Sequence, residues 1–145
     1  MPARALEHVN IRTTHFAATI RFFTDIIGLK TGFYPTQAGF PGAWLYDQNN
    51  VPVLHVLDID PFDGAMLEKV NALTYPRQVE SMYGTGAIDH IAFAADDFDG
   101  MIAKLEAEQI RYKTQHIVSW LKQVFVLDPN GIVIELNFQV GERPQ

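Results

Sequence analysis

His8 and His90 open two strand-like runs, Glu7-His8-Val9-Asn10-Ile11 and Asp89-His90-Ile91-Ala92-Phe93. Two further ionisable residues stand at matching places downstream: His55 in Val53-Leu54-His55, and Glu135 in Val133-Ile134-Glu135. Successive residues of a strand face opposite sides. If Val9, Ile11, Leu54, Ile91, Phe93 and Ile134 pack on helices, then His8, His55, His90 and Glu135 all face the other way. Two imidazoles and a carboxylate gathered on one face form a ligand set for a divalent metal such as Fe, Mn, Ni, Zn or Co. A lone strand histidine is more often a hydrogen-bonded core or surface residue. A lone Glu in an apolar strand is rarer, because burying it uncompensated is costly. The joint occurrence at matching positions is what points to a metal site.

The elements that must carry these residues come as two copies. Phe16, Ile20 and Phe23 recur as Phe98, Ile102 and Leu105 at an offset of roughly 80 residues, the mark of an internal repeat. Leu45-Tyr46-Asp47-Gln48-Asn49 recurs as Val126-Leu127-Asp128-Pro129-Asn130-Gly131, so His8 pairs with His90 and His55 with Glu135. The first copy reads as a strand over 7–12, a helix after Thr13-Thr14 that stops at Gly28, and strands over 29–34, 43–46 and 51–57. The second reads as a strand over 88–94, a helix capped by Asp96 or Asp97 and running to about Glu108, and strands over 112–117, 120–127 and 132–138. Each copy is therefore β-α-β-β-β. One domain of two modules is expected, 5–58 and 87–139, joined by a connection over 59–86 with Pro61, Pro76, Gly84 and Gly86 as punctuation and a short helix over 65–73. His15 and His116 read as solvated, and Asp96, Asp97 and Asp99 as capping and first-turn charge.

Composition excludes several classes. The 145-residue chain carries a net charge of −6 with no basic stripe, which argues against nucleic acid as a partner. It has no cysteine, so thiolate metal sites, disulfides and thiol catalysis are ruled out, and a cytoplasmic location is expected. No apolar run is long enough for a membrane span, and no secretory signal is expected.

The segments His8-Val9-Asn10-Ile11-Arg12, Phe22 to Leu29, Asp89 to Phe93 and Phe125 to Gly131 followed by Glu135-Leu136 resemble the vicinal oxygen chelate superfamily, which includes glyoxalase I, bleomycin resistance proteins and extradiol dioxygenases. The Asp-Pro-Asn-Gly turn ahead of Glu135 is the most specific part. The resemblance implies an α+β fold in which paired βαβββ modules form a half-open eight-stranded barrel around one divalent metal. It places His8, His90 and Glu135 as the metal ligands. His55 falls where glyoxalase I has a ligand carboxylate, so it reads either as a fourth ligand or as the residue that moves a proton at neutral pH. Phe125 stands where the dioxygenases carry a tyrosine, which weakens that branch. No glutathione-binding set is identified.

Around this site, Asn10 and Arg12 share the His8 face, and Arg12 is either a clamp for a substrate carboxylate or phosphate or an ion pair at the strand end. Trp44 and Phe125 are repeat-equivalent and line either an apolar pocket or the core. Gln123 faces the cavity or solvent. The expected protein is a metal-dependent enzyme of lyase, isomerase or dioxygenase type that takes a small oxygenated molecule. The alternative is a metal-free ligand-sequestering protein of the bleomycin-resistance kind. A homodimer is expected from the superfamily's habit.

Overall fold

The structure, a computed structural model, describes residues 2–35, 39–72 and 81–145. It divides into two compact units, Met1–Met82 and Tyr83–Gln145. Each holds a four-stranded mixed sheet with helices, an α+β arrangement of β-α-β-β-β order.

In the first unit β1 (Val9–Thr13) leads into α1 (Phe16–Arg21), which runs on as a wider helical segment (Phe22–Ile27). The widening shows where Gly28 N–H reaches the Phe23 carbonyl at 3.1 Å, five residues back. Gly28, at φ +96°, then ends the helix in a left-handed turn that glycine adopts without steric cost. The strands β2 (Lys30–Thr31), β3 (Gly42–Tyr46) and β4 (Pro52–Asp58) follow. Sheet order is β1-β4-β3-β2, with β1 parallel to β4 and the other pairs antiparallel. Ile11, Leu45, Leu54 and Val56 are buried with the helix residues Phe22, Phe23 and Ile26. Each such side chain removed from water stabilises the fold by about 1.5–3 kcal/mol before entropy is counted.

The predicted strand over 29–34 survives only as Lys30–Thr31. The Tyr46 ring lies so close to Gly32 that a Cβ there would clash, and the Tyr46 hydroxyl donates to the Phe33 carbonyl at 2.8 Å. A side chain thus takes over from the ladder, and Pro35 has no N–H with which to resume it. The predicted helix cap is also used differently. Thr13 Oγ1 accepts from His15 N–H at 2.8 Å, forming a turn, and the buried Thr13 and Thr19 hydroxyls lie 3.2 Å apart.

The connection contributes α2 (Gly64–Asn71), capped by Asp63, whose carboxylate accepts from Met66 N–H. Its Val70 packs with Leu57 and Ile59 at the end of β4. Leu73, the expected last residue of this helix, and Pro76 lie outside the described residues.

In the second unit, β5 (Ile91–Ala95), α3 (Phe98–Ala107), β6 (Tyr112–Val118), β7 (Leu121–Leu127) and β8 (Val133–Gln139) repeat the plan with sheet order β5-β8-β7-β6. Asp97 is the α3 cap, accepting from Gly100 N–H at 3.0 Å. Val124, Val126, Ile134, Leu136 and Phe138 are buried along with Met101 and Leu105 of α3, and the Phe98 ring meets Phe138 edge-on at 5.5 Å.

The duplication extends to single hydrogen bonds. Asp47 Oδ1 accepts from the N–H groups of Asn49 and Val51, and Asp128 Oδ1 from those of Asn130 and Ile132, all at 2.8–2.9 Å. Each turn sets the register of its hairpin. In the second hairpin that register puts Phe125 opposite Glu135; in the first, a one-residue shift between Leu45 and Tyr46 puts Trp44 opposite His55. No helix among the described residues is long and apolar enough to cross a membrane.

Candidate metal-binding site

In both units the first strand begins one residue after the histidine rather than before it. Val9 is the first residue of β1 paired with β4, and Ile91 the first of β5 paired with β8. His8 and His90 therefore sit on the threshold of the sheet, about a third exposed at the side chain (34% and 36%), where a ring can still be reached.

In the second unit His90 Nε2 lies 2.8 Å from Glu135 Oε2. His90 Nδ1 donates to Asp89 Oδ2, also at 2.8 Å. Glu135 is buried in the centre of β8, and its other oxygen, Oε1, accepts from Gln123 Nε2 at 2.7 Å. Gln123 Nε2 also donates to Asn137 Oδ1 at 3.0 Å. With Nδ1–H committed to Asp89, a neutral His90 would turn a lone pair on the Glu135 carboxylate. With both ring nitrogens facing carboxylate oxygens, the protonated ring can donate to both. The Asp89 hydrogen bond accordingly raises the His90 pKa; partial burial opposes this, and the charges of Glu135 and Asp89 add to it.

Metal–donor bonds of about 2.1 Å put neighbouring octahedral donors about 3 Å apart, close to the Nε2–Oε2 separation. An imidazole whose other nitrogen is held by a carboxylate is the usual arrangement around a ligating histidine. Among the described residues no group of three or more His, Cys, Asp or Glu stands together in a way that could hold a metal ion. The second unit brings two of the expected ligands together.

In the first unit His8 repeats half of this pattern. Its Nδ1 lies 3.1 Å from Glu7 Oε1, as His90 does from Asp89. The His55 position behaves differently from its equivalent Glu135. His55 Nδ1 is 3.2 Å from Asn10 Nδ2, and His55 Nε2 is 3.2 Å from the Tyr34 hydroxyl. The Tyr34 proton goes to the Phe40 carbonyl at 3.0 Å, so His55 Nε2–H must donate to Tyr34 and Nδ1 must accept from the Asn10 amide. Both ring nitrogens are taken and the neutral form is favoured. Burial lowers the His55 pKa, with the His8 charge adding to the effect, and burial raises that of Tyr34. Trp44 contacts both histidines. Its indole stacks on His55 at 4.5 Å and 19°, and meets the His8 ring edge-on at 4.8 Å and 84°.

The other expected site residues are held by their neighbours. Asn10 and Gln123 share the faces of His55 and Glu135 and bond to them. Phe125 meets the His90 ring edge-on at 6.4 Å, as Trp44 meets His8. Arg12, read from the sequence as either a substrate clamp or a strand-end ion pair, is bonded within the first unit. Its guanidinium donates to Asn71 Oδ1 at 2.6 Å and to the Val70 carbonyl at 3.3 Å, tying β1 to the C-terminal end of α2. A cation beside those terminal carbonyls is favourably placed.

Sequence reasoning missed Glu7, Asp89, Asn137 and Tyr34. An acid directly before the histidine in both copies was a readable signal for the first two. Tyr34 reaches His55 across 21 residues and left no local trace.

Opposite pKa shifts of the two histidines make a testable pair. In the metal-free protein, proton NMR should show His90 holding its proton above the ordinary imidazole range and His55 releasing its proton below it. The sign for stability follows. The His90 contribution is fully present below about pH 6.5 and is lost as pH rises through its raised pKa. His55 works the other way, weakening the fold as pH falls from about 6.5 towards its depressed pKa. Titration of the two rings in the reverse order would contradict the hydrogen-bond assignment.

Residues 5–136 match the model of the Glyoxalase/Bleomycin resistance protein/Dioxygenase superfamily. Among curated relatives, a lactoylglutathione lyase of Schizosaccharomyces pombe is 24% identical over 166 aligned positions, covering all of this chain and 51% of its own length. The chain thus spans about half of that relative. The uncharacterized protein YaeR of Escherichia coli is 23% identical over 92% of this chain and 95% of its own. Among solved structures, a glyoxalase/dioxygenase from Nostoc punctiforme superposes with a TM-score of 0.67 at 18% identity, covering 95% of this chain and 92% of its own. With nearly the whole chain matched, and with its two βαβββ units, this protein belongs to the glyoxalase/bleomycin resistance protein/dioxygenase superfamily.

Proposed function

We propose that this chain is a divalent-metal-dependent enzyme of lyase, isomerase or dioxygenase type that acts on a small oxygenated organic molecule, with His8, His90 and Glu135 as the protein ligands. The observation that carries the reading is the His90–Glu135 pair, two donors 2.8 Å apart with Asp89 and Gln123 bonded to their far sides. A pair restrained from behind in this way loses little freedom when it binds. His8, with Glu7 on its Nδ1, supplies the third ligand of the same kind, either within one chain or from a second copy in a homodimer.

When bound, the metal supplies Lewis acidity towards substrate oxygens. The remaining work falls to the chain. Gln123 and Asn137 hold the Glu135 carboxylate in one orientation, and Phe125 and Trp44 pack against the rings of the two ligand histidines. Because His55 is kept neutral and hydrogen-bonded, His8, His90 and Glu135 are the groups left to meet the ion.

The test is elemental analysis of protein purified anaerobically without an affinity tag, followed by titration with Mn, Fe, Co, Ni and Zn. About one equivalent per chain is expected, tightening as pH rises and His90 gives up its proton. Failure to bind any of these ions would sink the enzyme reading and favour a ligand-sequestering protein.

A further inference from the structure

The two modules treat their fourth-strand residue in opposite ways. Glu135 reaches the threshold histidine of its own module, whereas His55 bonds to Asn10 and Tyr34 and shares the indole of Trp44 with His8. The register explains part of this. Asn10, His55 and Trp44 stand in one row across β1, β4 and β3, and the equivalent row on β5, β8 and β7 is Ala92, Glu135 and Phe125. Alanine at position 92 has nothing to offer Glu135, so that carboxylate turns to His90 and Gln123. Asn10 offers an amide donor, which takes His55 Nδ1, and the Tyr34 hydroxyl takes Nε2. Held from both ends of the ring, His55 can lie only in the plane that stacks on Trp44, and Trp44 in turn presents its edge geometry to His8.

We propose that His55 is a positioning residue: clamped by Asn10 and Tyr34, it lies flat on Trp44 and through that indole fixes the ring of His8. This rests on His8 being a ligand only for its consequence in metal binding; the placement of the His8 ring stands apart from that. The device removes a fourth protein ligand from the first module. It also needs nothing of His55 that requires a proton to be gained or lost, only a flat group that accepts at one end and donates at the other.

Glutamine meets that description, and so separates the roles open to His55. In His55→Gln the amide oxygen can accept from Asn10, the NH2 can donate to Tyr34, and the amide plane can rest on the indole; the amide is a poor metal ligand and does not titrate. The experiment uses the full chain with His55→Leu, His55→Gln and Trp44→Leu, read first without metal by nitrogen-15 NMR of the histidine rings. In the unsubstituted protein His55 should carry its proton on Nε2 with a bare Nδ1 held by Asn10, and Tyr34→Phe, which keeps the ring but removes the acceptor, should shift the Nε2 signal. His55→Leu and Trp44→Leu should both move the His8 ring signals, and His55→Gln should leave them near their original positions. Titration with Co(II) alone should then weaken roughly 10–100-fold in His55→Leu, the range for residues behind a ligand. His55→Gln should recover to within about threefold of the unsubstituted protein.

A His55 proton on Nδ1 that ignores Tyr34→Phe would overturn the clamp. Co(II) binding in His55→Gln as weak as in His55→Leu would make His55 a ligand, and unchanged His8 signals in His55→Leu would remove its positioning role. If the unsubstituted protein binds no metal, the metal reading fails by itself, and the metal-free ring signals still decide the placement of His8.

Discussion

His90→Ala, Glu135→Ala and the double variant should be equally defective in metal binding. Each single change should exceed the roughly 10–100-fold loss typical of replacements behind a ligand, and the second should add little to the first. The two donor atoms lie 2.8 Å apart and on the proposed reading share one ion, so removing either leaves the other without its partner. Neighbouring groups that act as a unit give strongly non-additive effects, which a double-mutant cycle isolates. The cycle, read by calorimetry, would speak against a shared ion if the two losses simply added. Removing His90 should also be felt without metal. Glu135 is buried, and it would lose the His90 ring at Oε2 while keeping only the Gln123 amide at Oε1. The more tolerable order is the reverse one: without Glu135 the more exposed His90 keeps Asp89 and water.

Phe23→Ala should lower the stability of the first unit by about 3–5 kcal/mol, the range for emptying a buried aromatic site. The Phe23 side chain is 0% exposed and meets Phe22 edge-on at 5.1 Å between the helix and the sheet. Its carbonyl also accepts from Gly28 N–H and Leu29 N–H at the helix end, bonds that the substitution leaves in place. The loss is therefore one of packing and cavity, and it is a large share of the ~5–15 kcal/mol that holds a typical domain folded. Urea unfolding followed by fluorescence would measure it. A loss under about 1 kcal/mol would mean that the helix repacks to fill the gap, so the site face would then be resting on a more adaptable layer than its burial implies.

The duplicated pattern determined much before any coordinate was known. Strand alternation is a local property, so it put His8, His55, His90 and Glu135 on one kind of face. The Asp47 and Asp128 turns follow from side-chain-to-backbone bonds two and four residues away, which the sequence also displays. Family membership was legible for the same reason, since the motifs that carry it are short and contiguous. Boundaries slipped where a distant group intervened. The strand over 29–34 shrank because the Tyr46 ring lies against Gly32, and the expected Thr cap became a turn with Thr13 bonded to His15.

Hydrogen-bond partners were beyond the sequence. His55 and Glu135 occupy equivalent positions in equivalent repeats, and their neighbours in the row differ as Asn10 and Trp44 against Ala92 and Phe125. The tertiary structure decided that Asn10, 45 residues distant, and Tyr34, 21 residues distant, would close around His55. It also brought Arg12 to the end of α2, 58–59 residues away. The physical reason is the same in each case. Periodicity tells which way a side chain points, while its partner is chosen by whichever donor or acceptor the rest of the fold delivers to that spot, and buried polar groups cannot go without one.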